Sequence, residues 1–177
     1  MFLIEPINTE ILNESFSELP SNHEYWPAPG ISKGIPRGAV IELFGKDRQE
    51  WFCEFLKYNP ELQIFWDQKS RRLAEVDLIE IAASRPRINL ASLKNLIEVT
   101  LRHVIQSQKY EIIVTQNSFT DFRIFQTLQI FLKKSNCTLF LWGTDKKSKS
   151  LPISLQLQIT KNQMGDWEVC NLANFFR

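Results

Sequence analysis

"GIPRGAVIELFGKDRQEWFCEF", residues 34–55, decides how the rest of the chain is read. It opens on a Gly-x-Pro-x-Gly turn, Gly34 to Gly38, and runs into the apolar strand "AVIELF", which stops at Gly45. Five polar residues, 46–50, follow. Trp51, Phe52, Phe55 and Leu56 then fall at the spacing of the inward stripe of a helix over roughly 47 to 58. A strand, a glycine turn and an amphipathic helix in direct succession form the opening unit of an alternating α/β sheet.

The same alternation continues to residue 142. A second strand, "QIFWD", is followed by a short helical piece around Arg71 to Glu75 and a third strand, "LIEIA". In "LASLKNLIEVTLRHVIQSQ", Leu90, Leu93, Leu96, Ile97, Leu101, Val104 and Ile105 recur at helical spacing, with Asn89 as the N-cap. The fourth strand is "EIIVT"; Phe119, Phe122, Phe125, Leu128, Phe131 and Leu132 mark another helix, capped by Ser118 or Thr120; "TLFLW" is the fifth strand. Continuously apolar strands between helices are what a parallel sheet covered on both faces requires. Beyond residue 150, "ISLQLQIT" alternates, with Ile153, Leu155, Leu157 and Ile159 on one face and Ser154, Gln156, Gln158 and Thr160 on the other. The turn "NQMGD" sends "WEVCNL" back as its antiparallel partner. Residues 1–33, poorly periodic and carrying Pro6, Pro20, Pro27 and Pro29, read as an arm or lead-in with a short helix near Ile11 to Leu19. Residues 34–177 then form one domain.

Composition bounds the class. The chain has 177 residues, 44% of them apolar, enough for one compact domain with a sizeable core. Its 21 Lys and Arg against 20 Asp and Glu leave a net charge of +1, so no global field steers it to nucleic acid or an anionic membrane. No apolar run approaches the ~20 residues of a membrane span, and "MFLIEPINTE" lacks the features of a signal peptide, so the expected location is cytoplasmic. Cys53, Cys137 and Cys170, odd in number and widely spaced, read as reduced, buried and inert thiols, not as a disulfide framework or metal site.

The order of elements and the wording of "GIPRGAVIELFG" resemble the RecA-like ATPase core, in which Gly-x-Pro-x-Gly leads into the first strand and a phosphate loop follows at once. The resemblance covers residues 34–172. It implies a three-layer α/β core with a mostly parallel sheet of strand order 3-2-4-5-1, then C-terminal antiparallel hairpin strands, flanked by helices. Within that superfamily the chain looks most like an ImuA-type accessory protein of DNA-damage tolerance, and it shares small size and a vacant site with SulA-type cell-division inhibitors.

The chemistry that the family performs fails position by position. A phosphate loop needs G-x-x-x-x-G-K-[ST], because its glycine lets backbone N–H groups approach the phosphates, its lysine neutralises their charge and its hydroxyl binds magnesium. Counted from Gly45, the glycine falls on Glu50, the lysine on Trp51 and the hydroxyl on Phe52. Lys46 has no Gly or Ser-Thr arrangement beside it to complete a shorter loop. The acidic residue that orients magnesium at the tip of the fourth strand is replaced by Gln116, or by Thr115 one residue earlier. In "FWDQK", Asp67 is kept but Lys69 stands where the family has the glutamate that activates water. A lysine of ordinary pKa does not accept that proton. Three parts of one mechanism are absent together, which makes the expected protein a pseudo-ATPase with no cofactor.

Other features are candidates for contact with partners. Lys146, Lys147 and Lys149 form a basic turn after the fifth strand, where RecA recombinases carry a much longer DNA-binding loop; a solvated turn is the simpler explanation, since charge runs are usually surface. Arg71 and Arg72 after the second strand and Arg85 and Arg87 after the third would line the carboxyl edge of the sheet, with Glu75, Asp77 and Glu80 close enough in sequence to pair with them. His23 and His103 form no nucleophile or metal constellation, and Ser118 with Asp121 lacks a nucleophile-elbow pattern. At the ends, Phe2, Leu3 and Ile4 in "MFLI" and Phe175 and Phe176 in "NLANFFR" offer apolar segments for strand addition to a neighbour or for docking. The expectation is a non-catalytic accessory protein that binds a recombinase, a damage-tolerance polymerase complex or a cell-cycle protein, with homo-oligomers allowed and no membrane. The alternatives are a single-stranded nucleic-acid-binding module using the basic turn and arginine rim, and an atypical ATPase built on Lys46 and Asp67.

Overall fold

The computed structural model describes residues 25–67, 97–116, 119, 121–142 and 151–172. In chain order their elements are β1 (Tyr25–Ala28), β2 (Ile31–Pro36), β3 (Val40–Phe44), α1 (Arg48–Tyr58), β4 (Ile64–Trp66), α2 (Ile97–Gln106), β5 (Ile112–Gln116), α3 (Phe122–Ser135), β6 (Thr138–Trp142), β7 (Leu155–Lys161) and β8 (Trp167–Asn171). Six strands make one sheet in the order β4-β5-β6-β3-β7-β8. The first five of that order run parallel, and β8 alone is antiparallel, against β7. The second, fourth, fifth and first strands of the sequence pattern thus lie side by side in the expected order, with the hairpin beyond them. The expected third strand, residues 78–82, lies outside the described residues. So do the helical pieces around 11–19 and 71–75 and the N-cap Asn89.

Position in the sheet explains the composition of the strands. β3 and β6 are central, and every residue of each is buried, which is why they read as apolar runs interrupted in β3 only by Glu42 and opened in β6 by Thr138. α1 and the hairpin β1–β2 cover one face: Trp26, Ile35, Trp51, Phe52, Phe55 and Leu56 pack on Ile41, Leu43, Trp66, Phe140 and Trp142. α2 and α3 cover the other, where Leu101, Ile105, Phe125, Leu128 and Leu132 pack on Val40, Phe65, Ile113, Leu139 and Leu141. No helix among the described residues is long and apolar enough to cross a membrane.

Several details differ from the sequence reading. The lead-in is not loose where it is described: residues 25–36 form an antiparallel hairpin, and the boundary drawn at residue 33 falls inside β2. Pro27 and Pro29 are compatible with it because their carbonyls are its anchors, accepting from Asn59 Nδ2 at 2.8 Å and from Trp51 Nε1 at 2.7 Å. α3 is capped by Asp121, whose Oδ1 accepts from the backbone N–H of Arg123 and Ile124 at 2.8 and 3.2 Å; Ser118 and Thr120 lie outside the described residues. Phe119 precedes that helix and packs edge-on against Phe125, while Phe122 is exposed because it falls off the Phe125–Leu128–Leu132 stripe. Ile153 does not share a face with Leu155: it precedes β7 and packs with the α2–α3 side, whereas Leu155 packs with the α1 side. Of the three cysteines only Cys137 is buried; Cys53 is half-buried and Cys170, on the outer strand β8, is exposed.

Candidate functional site at the carboxyl edge of the sheet

In an open parallel sheet, ligands collect beyond the carboxyl ends of the strands. Here that edge carries the turn after β3, the start of α1, and the last residues of β4, β5, β6 and β7. Gly45 adopts φ +94°, and a Cβ placed on it would lie 2.1 Å from the carbonyl oxygen of Ile159 in β7. The glycine is therefore required by the close crossing of the turn over β7, without reference to any ligand. The turn is closed by Arg48, whose Nη1 donates to the Gly45 carbonyl at 3.0 Å, and Lys46 beside it is exposed.

The first turns of α1 face β7 and β8 with acids. Asp47, at the N-cap, makes no side-chain cap; its Oδ2 instead accepts from the backbone N–H of Lys161 at 2.9 Å. Glu50 pairs with the ammonium of Lys161, and its carboxylate holds the Lys161 pKa above the ordinary value, through their hydrogen bond first and then through the charges of Glu50, Glu54 and Asp47. Glu54 accepts from Trp167 Nε1 at 2.8 Å. Carboxylates suit a helix N-terminus because its peptide dipoles point positive there. They also occupy, with the wrong sign, the place where a phosphate would be drawn.

Trp51 and Phe52, at the positions counted for lysine and hydroxyl, are both fully buried. Trp51 turns to the hairpin and fastens it through Pro29. Phe52 sits in an aromatic cluster, edge-on to Trp66, Phe140 and Trp142 with ring centroids 5.9, 5.1 and 5.5 Å away. Trp66 and Trp142 end their strands at this edge, and their indole N–H groups are buried without a hydrogen-bond partner among the described residues. The space beneath the turn is thus filled by rings that neutralise no charge and ligate no cation.

On the other face of the sheet a polar row crosses the strands. Asp67, just past β4 and buried, accepts from Thr115 Oγ1 at 2.8 Å. Thr115 is in register with Leu141, Leu141 with Glu42, and Glu42 with Gln156. Glu42 is fully buried in the middle of β3, and its Oε2 accepts from Gln156 Nε2 at 2.9 Å. Neither Glu42 nor Gln156 was anticipated as a partnered pair; the available signal was one acid inside an otherwise apolar strand. Gln116, at the end of β5, is half-buried. Lys46 and Asp67 follow β3 and β4, which are three strand spacings apart, about 14 Å. The structure does not bring that pair together. Lys69, Arg71, Arg72, Arg85, Arg87, Lys146, Lys147 and Lys149 lie outside the described residues, as do Phe2, Leu3, Ile4, Phe175, Phe176, His23 and Ser118. His103 is exposed on α2. Among the described residues no group of three or more His, Cys, Asp or Glu is placed to hold a metal ion.

Fold and edge together define an α/β protein with a mostly parallel sheet and an aromatic-filled carboxyl edge. The sequence matches no family model and no curated protein.

Proposed function

We propose that the chain is a RecA-like accessory protein that does not hydrolyse ATP and acts by binding another protein, in DNA repair or damage tolerance. The fold side of this reading is supported by "GIPRGAVIELFG" at the first strand and by the lateral order second, fourth, fifth, first, hairpin. The single observation that carries the loss of chemistry is the burial of Trp51 and Phe52, one hydrogen-bonded to the hairpin and the other enclosed by three rings. Phosphoryl transfer depends on a lysine and a metal-binding hydroxyl in that loop. Neither can be regained by rotating a side chain.

Turnover and binding of Mg-ATP by the purified chain test the first half. The expected result is neither hydrolysis nor a nucleotide-dependent rise in melting temperature. Magnesium-dependent turnover that disappears in Lys46→Ala would overturn it. The second half is tested by comparing proteins co-purifying from cells with and without DNA damage. Partners unrelated to genome maintenance would discard the damage context and leave the reading of the loop unaffected.

A further inference from the structure

At the amino edge of the sheet, opposite the aromatic cluster, the end of β2, the start of β3, the last turn of α3 and the start of β7 enclose a pocket of about 270 Å³. Its walls are pinned to one another. Gly38 adopts φ +70°, and a Cβ on it would lie 3.0 Å from the Cα of Lys133, so the turn before β3 rests directly on α3. Gly34, at φ +76°, brings β2 so close to β1 that a Cβ would lie 2.3 Å from the Trp26 carbonyl oxygen. Ser154 ties the approach to β7 onto β3: its backbone N–H donates to the Val40 carbonyl at 3.0 Å, and its Oγ accepts from the Val40 N–H at 3.2 Å. Between these fixed points Ala39 supplies only a methyl group, and the walls cannot close on the space without breaking those contacts. Pro36, Ala39 and Leu155 make the lining apolar. Lys33, Arg37 and Lys133 line it as well, but Arg37 and Lys133 are engaged elsewhere, Arg37 with its guanidinium carbon 3.6 Å from the centre of the Trp26 ring, and Lys33 is exposed to water. Charge therefore does not define what the pocket holds. Because the Ser154 oxygen already accepts from Val40, its hydroxyl proton is the part left to donate, a neutral donor beside an apolar wall.

We infer that this pocket takes a neutral small molecule of a single ring bearing a carbonyl, the ring against the apolar wall and the oxygen accepting from the Ser154 hydroxyl. The volume falls just below the range of pockets that hold drug-sized molecules, which suits one ring. An apolar hollow with preformed walls offers water few partners and binds apolar molecules in its place. The hydroxyl selects an acceptor, and a carboxylate would lose hydration without a cation free to replace it inside the pocket. A protein partner would need a wider apolar patch. Of the large apolar residues exposed on the described surface, only Tyr25 lines the pocket. The inference is independent of the carboxyl edge and stands whether or not that edge takes a nucleotide.

Titration of the nitrogen-15-labelled full chain with three probes, acetophenone, ethylbenzene and benzoate, tests it. Acetophenone should shift the amide resonances of Gly38, Ala39 and Leu155 saturably, with a Kd on the order of 1 mM, as a ligand of its size can reach. Its ring protons should show Overhauser contacts to the Ala39 methyl group. Benzoate should bind more weakly than acetophenone. Ser154→Ala, at an exposed position, should weaken acetophenone about fivefold, the loss of one hydrogen bond, and leave ethylbenzene within about twofold. The comparison of the two probes within that one variant separates the hydroxyl from any change in pocket shape. Absence of saturable shifts, shifts confined to other parts of the chain, or equal loss of both probes in Ser154→Ala would each overturn the inference. So would benzoate binding more tightly than acetophenone, which would mark an anion site.

Discussion

The indole N–H of Trp51 donates to the carbonyl oxygen of Pro29 at 2.7 Å, so the helix after the first core strand is fastened to the β1–β2 hairpin in its first turns. Trp142, equally buried, has an indole N–H with no partner among the described residues. Changing each to Phe removes a similar area but different hydrogen-bond content. Trp51→Phe should therefore be more destabilising than Trp142→Phe by about 0.5–1.5 kcal/mol, the net worth of a hydrogen bond. Urea unfolding of the two variants measures the difference, and equal losses would mean that the Trp51 bond adds nothing.

Phe52 gives a second expectation. Replacing it with Thr introduces the hydroxyl that a phosphate loop uses but removes a ring packed against Phe55, Trp66, Phe140 and Trp142. The cost should be about 3–5 kcal/mol, as for large-to-small changes in aromatic cores, and no affinity for Mg-ATP should appear. A stable Phe52→Thr variant with gained nucleotide binding would show the edge to be a latent site.

Two glycines with similar backbone angles separate packing from strain. Gly45 has φ +94° with the Ile159 carbonyl in the path of a Cβ; Gly165, in the β7–β8 turn, has φ +86° and open space around it. Gly165→Ala should cost about 1 kcal/mol from the left-handed backbone alone. Gly45→Ala adds a backbone collision and should cost at least about 3 kcal/mol or prevent folding. Comparable melting temperatures for the two would refute the crossing of the turn over β7 as the reason for Gly45.

The strands were legible because the central ones are apolar on both faces, and α1 was legible because Trp51, Phe52, Phe55 and Leu56 share one side of a helix. What stayed hidden depended on contacts between distant residues. Pro27 and Pro29 suggested irregular backbone, yet their carbonyls meet Asn59 and Trp51 only in the folded sheet. Gln156 looked solvent-facing by alternation, but the strand it joins carries Glu42 directly opposite. The amino-edge cations are scattered between residues 33 and 133 and form no run in the sequence.

The Glu42–Gln156 pair lends itself to a double-mutant cycle. Gln156→Leu takes a hydrogen-bond donor from a buried carboxylate and should cost about 1–3 kcal/mol. Glu42→Leu with Gln156→Leu removes both sides of this bond and should cost less than the sum of the two single changes. If the double variant is as unstable as the sum of the singles, the pair is not a unit.

Cys137 supplies a pH-dependent expectation. Burial first, and the neighbouring carboxylate of Glu111 second, push its thiol well above the ordinary range. The native state thus keeps Cys137 protonated while the unfolded chain ionises near an ordinary thiol pKa of about 8.5. Its contribution is complete below that value and falls as pH rises toward the native pKa, by about 1.4 kcal/mol per pH unit. Cys137→Ala lacks this dependence, so the stability gap between wild type and variant should narrow by about 2 kcal/mol from about pH 8 to about pH 10. Thiol labelling of the native protein should follow exposure, with Cys170 fastest, Cys53 slower and Cys137 reacting only on unfolding. A constant stability gap across that range, or rapid labelling of Cys137 in the native state, would contradict the enclosed thiol.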